Sequence, residues 1–283
     1  MIKLSSSLSF GGELEVPSDK SISHRSALLN SIANGKSKIL NYSNGEDCLS
    51  TLSVLKELGA NINLIPKENS YELDIESKGL NSLIESKKVL YAGNSGTTTR
   101  LLSGILAFSN FNSVLSGDNS LNSRPMKRII DPLMMMGAEI KSNNDCAPLE
   151  FRKSNLNGIK YNMDVASAQV KSCIILATLG ANSKSIITQP ALSRDHTERM
   201  LIPMGADIKV DANEIIISPG EINSIDIEVP GDISSAAFWI VAALIHPKGN
   251  IVLKNVGINP LRTGILDVLI KMGGRIEIFN KRD

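Results

Sequence analysis

Four apolar helical segments of this chain end on nearly the same phrase, in which glycine is followed three positions later by isoleucine. The four glycines lie about 70 residues apart, at Gly59, Gly137, Gly205 and Gly273. Glycine after a helical run is typical of a C′ cap, because it adopts the left-handed backbone conformation at little cost. A period of this length exceeds one solenoid repeat and fits a block of several strands and two helices. The phrase therefore predicts a repeated α/β architecture.

Each block also begins with a helix start that is rich in small polar residues. Residues 16–21 (Val-Pro-Ser-Asp-Lys-Ser) recur as residues 229–234 (Val-Pro-Gly-Asp-Ile-Ser), and the intervening blocks have residues 93–97 and 165–169 at the corresponding places. Such starts leave backbone N–H groups accessible, and the helix dipole favours an anion there. A single one is usually only an N-cap. Their recurrence favours a set of anion sites.

Composition excludes several classes of partner. The formal net charge is +1, so no global field favours nucleic acid or an anionic membrane. The longest apolar stretch, residues 236–245, is about half the length that a membrane span needs.

Residues 1–12 do not have the pattern of a secretory signal. The three cysteines form no close pair, which predicts reduced thiols in a cytoplasmic protein rather than a disulfide framework or metal site.

Short β-branched runs alternate with the helices, which predicts α/β units with right-handed crossovers. The last predicted strand is at residues 275–279. Three complete blocks run from about Leu14 to Asp226, and a fourth begins at Val229. Three units followed by one suggest two explanations: either the fourth pairs with something else, or the chain is shorter than the protein it represents.

The segment 17–26 has the densest polar chemistry. Lys20, Ser21 and Arg25 place two cations and a hydroxyl in the first turns of a helix. Cations are unfavourable at that end if only helix stability matters. The segment therefore predicts a site for a phosphate and a carboxylate; the alternative is a solvated helix start.

Further polar segments precede other helices. Arg124 stands before a proline, and its planar fork suits a carboxylate or phosphate. Residues 167–169 with Lys171 offer a hydroxyl, an amide and an ammonium group, which predicts a phosphate site. Asp195 and Glu198 have the spacing of a capping box.

Six segments together resemble, in order and over essentially the whole chain, the signatures of the 5-enolpyruvylshikimate-3-phosphate (EPSP) synthase family. The segments 167–169 and 193–198 resemble its second class, which includes many glyphosate-tolerant members. The six segments are residues 17–25, 93–100, 118–126, 167–172, 193–198 and 230–237.

The resemblance implies the enolpyruvyl transferase fold, an α/β fold of repeated βαβαββ-type units with three units in each of two domains. Residues 14–227 would form a complete first domain on the shikimate 3-phosphate side. Residues 1–13 with 228–283 would form a partial second domain with about one of its three units. The repeated Val-Pro phrases would lie at the crossovers between the domains and act as a hinge.

The resemblance also implies the chemistry. Family members condense phosphoenolpyruvate with shikimate 3-phosphate and release phosphate, without a metal or organic cofactor. Lys20 would contact both substrates and assist the attacking hydroxyl. We expect only these small-molecule partners, no nucleic acid or membrane, and a cytoplasmic monomer. The implied shikimate 3-phosphate site consists of Lys20, Ser21, Arg25, Ser167, Ala168, Gln169, Ser193 and Arg194. The implied phosphoenolpyruvate site consists of Lys20, Gly96, Arg124 and Gln169.

One departure from the family affects the expected activity. The family's acidic general acid/base residues lie in the second domain, and no residue up to Asp283 matches them, so we expect a truncated representative with little activity. Two alternatives stay open. One is a non-catalytic protein that binds shikimate 3-phosphate. The other is the sister enzyme UDP-N-acetylglucosamine enolpyruvyl transferase, which has a reactive cysteine where this chain has residues 117–122.

Overall fold

The computed structural model describes residues 9–282 as a mixed α/β fold. Contacts divide these residues into a larger unit, residues 20–229, and a smaller unit, residues 9–19 with 230–282. The predicted second domain also includes residues 1–8 and 283, which lie outside the described residues. Within the described residues, every helix is too short or too polar to cross a bilayer.

The elements alternate between strands and helices along most of the chain. In order they are β1 (Phe10–Glu15), α1 (Lys20–Asn30), β2 (Asn34–Ser43), α2 (Glu46–Glu57), β3 (Asn61–Pro66), β4 (Ser70–Lys78), β5 (Leu90–Tyr91), α3 (Gly96–Phe108), β6 (Ser113–Ser116), α4 (Asn119–Asn122), α5 (Lys127–Met135), β7 (Glu139–Asn143), β8 (Cys146–Arg152), β9 (Lys160–Asn162), α6 (Ala168–Leu179), β10 (Ser185–Thr188), α7 (His196–Leu201), β11 (Ile208–Asp211), β12 (Glu214–Ile217), β13 (Ile227–Glu228), α8 (Ile233–Ile245), β14 (Gly249–Lys254) and α9 (Gly264–Lys271).

The larger unit contains four-stranded sheets of one common pattern. Among the described residues the strand orders are β13-β2-β4-β3, β5-β6-β8-β7 and β9-β10-β12-β11. In each sheet the first pair is parallel and the other two pairs are antiparallel. Helices α3 and α6 connect the parallel pairs of the second and third sheets, as a crossover connection requires.

The first sheet obtains its parallel edge strand from a distant part of the chain. Strand β13 pairs with β2, with Ile227 opposite Ile39. Strand β1, which precedes α1 in the sequence, pairs instead with β14 in the smaller unit, from Phe10 opposite Gly249 to Glu15 opposite Lys254. Within the larger unit, the β13–β2 pair thus joins the last strand to the first, although the two are far apart in sequence.

The four repeated glycines end helical segments in the left-handed conformation. Their φ angles are +79°, +101°, +88° and +93° in chain order. At Gly137, the glycine N–H donates to Met134 O at 2.9 Å, and the next N–H, of Ala138, donates to Leu133 O at 3.0 Å. This is the Schellman pattern, and the other three glycines show the same pair of bonds. The predicted capping role of these glycines is confirmed.

Helices α3 and α6 pack against each other in the interior of the larger unit. Every residue of α6 except Gln169 is buried. A Cβ on Gly104 would overlap the carbonyl oxygen of Cys173 and lie 3.1 Å from Leu176 Cβ, so glycine permits the close approach. The close contact at Gly104 therefore fixes the two helices against each other.

The predicted strand at residues 275–279 is wrong, because these residues form no strand. In the larger unit, each strand that follows a glycine cap (β3, β7 or β11) pairs with the strand that comes next in the chain. The described residues after Phe279 form no strand. Residues 275–279 therefore have no neighbouring strand for backbone hydrogen bonds.

Candidate functional site

The start of α1 presents the first two predicted site residues. Lys20 is the first residue of the helix, and its side chain is 54% exposed. Its Nζ lies 3.1 Å from the Asp47 carboxylate on α2. The Ser21 hydroxyl accepts a hydrogen bond from Arg194 Nη1 at 3.3 Å, which links α1 to the loop before α7. These contacts place cationic groups at the helix end that already favours anions.

Arg25 is buried one turn further along α1 and joins three helices. Its Nη1 donates to Ser21 O at 2.9 Å. Its Nε donates to Thr197 Oγ1 at 2.7 Å, and its Nη2 donates to Ser172 Oγ at 3.1 Å. The two hydroxyls lie 2.6 Å apart. The roles of Ser172 and Thr197 could not be predicted, because nothing local in the sequence relates them to an arginine so far upstream.

The start of α6 contacts the start of α3 through Gln169. Ser167 caps α6 by accepting a hydrogen bond from Val170 N at 3.4 Å. Gln169 Nε2 donates to Thr97 Oγ1 at 3.1 Å, and its Oε1 accepts from Arg100 Nη1 at 3.1 Å. The amide of Gln169 thus lies between the N-terminal turns of two helices.

Two guanidinium groups lie beside Gly96 at the start of α3. A Cβ on Gly96 would be 2.8 Å from Arg100 Nη1 and 3.2 Å from Arg124 Nη1. Arg124 also donates to Asn94 Oδ1. Partial burial and the positive charges of Arg124 and Arg128 hold the pKa of Arg100 below its ordinary value. Like charges this close, at a helix N-terminus, suit an anionic group that bonds to both.

Lys171 is not an accessible ammonium group, contrary to the sequence prediction. Its side chain is 1% exposed, its Nζ lies 2.6 Å from Glu198 Oε1, and it donates to Ser193 O at 3.2 Å. The predicted capping box is also wrong, because the Asp195 side chain makes no cap bond and accepts from Arg199 Nε at 2.8 Å. Glu198 is drawn inward because a buried ammonium needs a carboxylate partner.

A chain of buried polar side chains leads from α1 to the cap of α3. His24 Nδ1 lies 2.7 Å from Thr51 Oγ1, which lies 2.6 Å from Thr98 Oγ1. Thr98 Oγ1 donates to Ser95 Oγ at 2.7 Å, and Ser95 is the N-cap of α3. Complete burial, followed by the positive charge of Arg25, lowers the pKa of His24 to about 3. A neutral histidine therefore supports the position of the α3 start.

The structure brings most of the predicted residues, together with Ser172, Thr197 and Arg100, into two neighbouring groups, whereas Lys20 pairs with Asp47 and belongs to neither. The first, the α1/α6/α7 cluster, consists of Ser21, Arg25, Ser172, Ser193, Arg194 and Thr197. The second, the α3 cluster, consists of Gly96, Arg100 and Arg124. Helix α6 contributes Ser172 to the first group and contacts the second through Gln169. Ser167 and Ala168 lie at its start. Arg100 could have been found from sequence, since it lies one helical turn after Gly96.

The described residues contain no group of three or more His, Cys, Asp or Glu that could hold a metal ion. All three cysteines are free thiols, of which Cys48 and Cys173 are buried. Burial raises the pKa of the Cys173 thiol. Neither buried thiol has the exposed, electropositive setting of a reactive cysteine.

Comparisons with known proteins agree with one another. The family model described as EPSP synthase (3-phosphoshikimate 1-carboxyvinyltransferase) matches residues 5–282. The 3-phosphoshikimate 1-carboxyvinyltransferase of Geotalea uraniireducens is 49% identical over 274 residues, which are 96% of this chain and 63% of that protein. The one of Bacillus cytotoxicus is 47% identical over 275 residues, 96% of this chain and 64% of that protein.

A solved structure is similar as well. EPSP synthase from Acinetobacter baumannii superimposes with a TM-score of 0.87 at 44% identity, over 94% of this chain and 60% of that chain. This chain therefore spans less than two thirds of the length of each of these three proteins.

Proposed function

This chain belongs to the EPSP synthase family, and from that membership we propose that it supplies the shikimate 3-phosphate side of an enolpyruvyl transfer site. In the proposed reaction, C3 of phosphoenolpyruvate gains a proton and the 5-hydroxyl of shikimate 3-phosphate attacks C2. The tetrahedral intermediate then loses phosphate and a proton from C3, which leaves the enolpyruvyl ether. The product is a precursor of chorismate and the aromatic amino acids.

The observation that supports this proposal most directly is the arrangement of the α1/α6/α7 cluster. Arg25 is held by Ser172 and Thr197, and Arg194 bonds to Ser21. Shikimate 3-phosphate has a carboxylate and a phosphate, and two guanidinium groups, one in the second turn of α1 and one just before α7, match such a multiply charged anion. We assign the carboxylate to Arg25 and the phosphate side to the start of α6. The remaining contacts would come from Ser21, Ser167, Ala168, Gln169, Ser193 and Arg194.

The α3 cluster is the proposed contact surface for phosphoenolpyruvate. Gly96 allows Arg100 and Arg124 to approach the helix start closely, and Gln169 would contact both ligands. Lys20 is proposed to approach both substrates and to assist deprotonation of the attacking hydroxyl. Since Lys20 is ion-paired with Asp47, substrate oxygens would have to share or replace that partner.

We also propose that the sheets of the larger unit are copies of one βαβαββ-type unit. The common strand order and the four glycine caps support this interpretation. Strand β13 would supply the first strand of the first copy. The proposed first domain is residues 14–227, and residues 1–13 with 228–283 would belong to a second domain of the same kind. A cytoplasmic, monomeric protein is proposed by analogy with the family.

Turnover by these 283 residues alone is proposed to be slow or absent. Protonation of an enol carbon requires acid/base groups with suitably tuned pKa values. Two of the carboxylates near the clusters, Asp47 and Glu198, are each ion-paired with a lysine. Asp118 accepts hydrogen bonds from Asn94 and from Leu121 N, and Asp195 is ion-paired with Arg199. Steady release of phosphate that depends on both substrates, at ordinary enzyme rates, would contradict this part of the proposal and favour full catalysis over ligand binding.

Calorimetric titration with shikimate 3-phosphate tests the binding proposal. We expect Arg25→Ala to weaken affinity roughly ten- to a hundred-fold, as for loss of a charge-assisted bond. Because Arg25 is buried, Arg194→Ala provides a second test in an exposed residue, with a loss of about tenfold. Arg152→Ala, at an exposed arginine on β8, is the control and should bind as the unsubstituted chain does. Equal affinity of all four proteins would place the site elsewhere.

A further inference from the structure

We propose that Lys171 is a positioning residue for shikimate 3-phosphate, which it affects through the Ser193–Arg194 loop without touching the ligand. This inference rests on the proposed function of the α1/α6/α7 cluster. Lys171 would fix the loop by its hydrogen bond to the Ser193 carbonyl, and Glu198 would hold Lys171 in place.

The first support is the burial of the ion pair. The Lys171 and Glu198 side chains are 1% and 3% exposed, and Nζ lies 2.6 Å from Oε1. In the described residues, neither carboxylate oxygen of Glu198 has a hydrogen-bond partner with good geometry. Lys171 is thus the group that neutralises Glu198. A pair at this depth is shielded from solvent and cannot bind a ligand directly.

The second support is the way that Ser193 is held from both sides. Its carbonyl accepts from Lys171 Nζ at 3.2 Å. Its N–H and hydroxyl both donate to Gln189 Oε1, at 3.2 and 2.7 Å, and Gln189 itself is 3% exposed. The next residue, Arg194, reaches Ser21 on α1. A fixed peptide at Ser193 therefore sets the position from which the Arg194 side chain extends.

The third support is energetic. Replacing a buried ion pair by apolar side chains of similar volume is often neutral or stabilising, so stability alone does not require charges here. An apolar pair in place of Lys171 and Glu198 would still pack α6 against α7, next to the Ser172–Thr197 hydrogen bond that already joins these helices. Such a pair could not donate a hydrogen bond to the Ser193 carbonyl. The feature that only the ammonium supplies is therefore the bond to the loop.

The double substitution Lys171→Met with Glu198→Leu separates positioning from folding, because it removes both charges together. We expect a folded protein in which the Ser193 and Arg194 amides exchange hydrogen at least tenfold faster, while the middle of α6 exchanges as before. Affinity for shikimate 3-phosphate should fall about tenfold, with affinity for phosphoenolpyruvate unchanged. The matched control is Lys88→Met with Glu57→Leu, which removes an exposed pair of the same chemistry at 3.2 Å and should change neither quantity.

A second comparison applies if the double variant does not fold. Glu198→Gln keeps Lys171 and its bond to Ser193, so exchange at Ser193 should stay near that of the unsubstituted chain. Lys171→Met with Glu198→Gln should accelerate it. Two results would overturn the inference. One is unchanged exchange and affinity in a folded Lys171→Met, Glu198→Leu variant. The other is equal exchange at Ser193 in Glu198→Gln and in Lys171→Met with Glu198→Gln. If the unsubstituted chain binds no shikimate 3-phosphate, the proposed function fails, and the exchange ratio at Ser193 still decides whether Lys171 holds the loop.

Discussion

Asp19 and Asp232 occupy equivalent positions in two copies of one sequence phrase, and each donates its backbone N–H to the proline carbonyl of the other copy. The distances are 2.7 Å from Asp19 N to Pro230 O and 2.8 Å from Asp232 N to Pro17 O. Both carboxylates also approach Arg262, at 3.6 and 3.1 Å. Within the smaller unit, the two copies are therefore joined reciprocally, with one guanidinium as their shared counter-ion.

We predict that Arg262→Met destabilises the smaller unit by about 2–4 kcal/mol, because two largely buried carboxylates lose a cation. Hydrogen exchange at the Asp19 and Asp232 amides measures the effect, which should appear as faster exchange at both. Arg275→Met, at an exposed arginine of the same unit, is the control and should leave these amides unchanged. Equal exchange in the two variants would mean that the backbone bonds alone maintain this contact.

Replacement of Gly205 tests the energetic role of the helix caps. Its φ is +88°, and the nearest atom to an added Cβ would be Asn223 Nδ2 at an ordinary 3.5 Å. Gly205→Ala should therefore cost about 1–2 kcal/mol of unfolding free energy through backbone strain alone. Gly205→Asn should cost less, since asparagine tolerates the left-handed region better. Urea denaturation measures both, and a loss as large for Asn as for Ala would contradict the explanation.

Gly104→Ala should destabilise the protein by a different mechanism. At this position the added methyl group lacks space, whereas the backbone angle is one that alanine can adopt. The added methyl would overlap the Cys173 carbonyl oxygen and lie 3.2 Å from Ala177 N, both main-chain atoms of α6. We expect a loss of roughly 1–3 kcal/mol by urea denaturation, as for overpacking. Ser103→Ala, at the preceding buried position, loses one hydrogen bond and should cost about 1 kcal/mol. A neutral Gly104→Ala would show that α3 and α6 separate easily.

His24 predicts a stability that depends on pH. Its folded pKa is about 3 against an ordinary value of 6.5, so below pH 6.5 the unfolded chain binds a proton that the native chain does not. Stability is therefore lost as pH falls from about 6.5 towards 3. Between pH 7 and 5 this amounts to about 2 kcal/mol.

Replacement of His24 by asparagine should remove that dependence. The comparison is between the change in unfolding free energy from pH 7 to pH 5 in the unsubstituted chain and in His24→Asn. We expect the change in unfolding free energy to be about 2 kcal/mol smaller in the variant, even though the variant is less stable overall. Parallel pH profiles would mean that His24 becomes protonated in the folded state.

Local patterns in the sequence determined the features that depend on local geometry. The helix ends at Gly59, Gly137, Gly205 and Gly273 were predictable, because a left-handed cap requires glycine wherever it occurs. Many strands were predictable from β-branched runs, and Ser113–Ser116 and Ser185–Thr188 are two examples. The polar starts of α3 and α6 were also evident, because capping residues act within one turn.

The tertiary structure decided everything that required a distant partner. Residues 275–279 have strand composition but no neighbouring strand within residues 9–282, and β1 pairs with β14 while β13 completes the first sheet. Lys171 and Glu198 looked like surface groups of two helix starts, yet they are buried against each other. A sequence pattern specifies which conformation a segment prefers. The pattern does not specify which other segment packs beside that one, because strand pairing and burial depend on the fold of the whole chain.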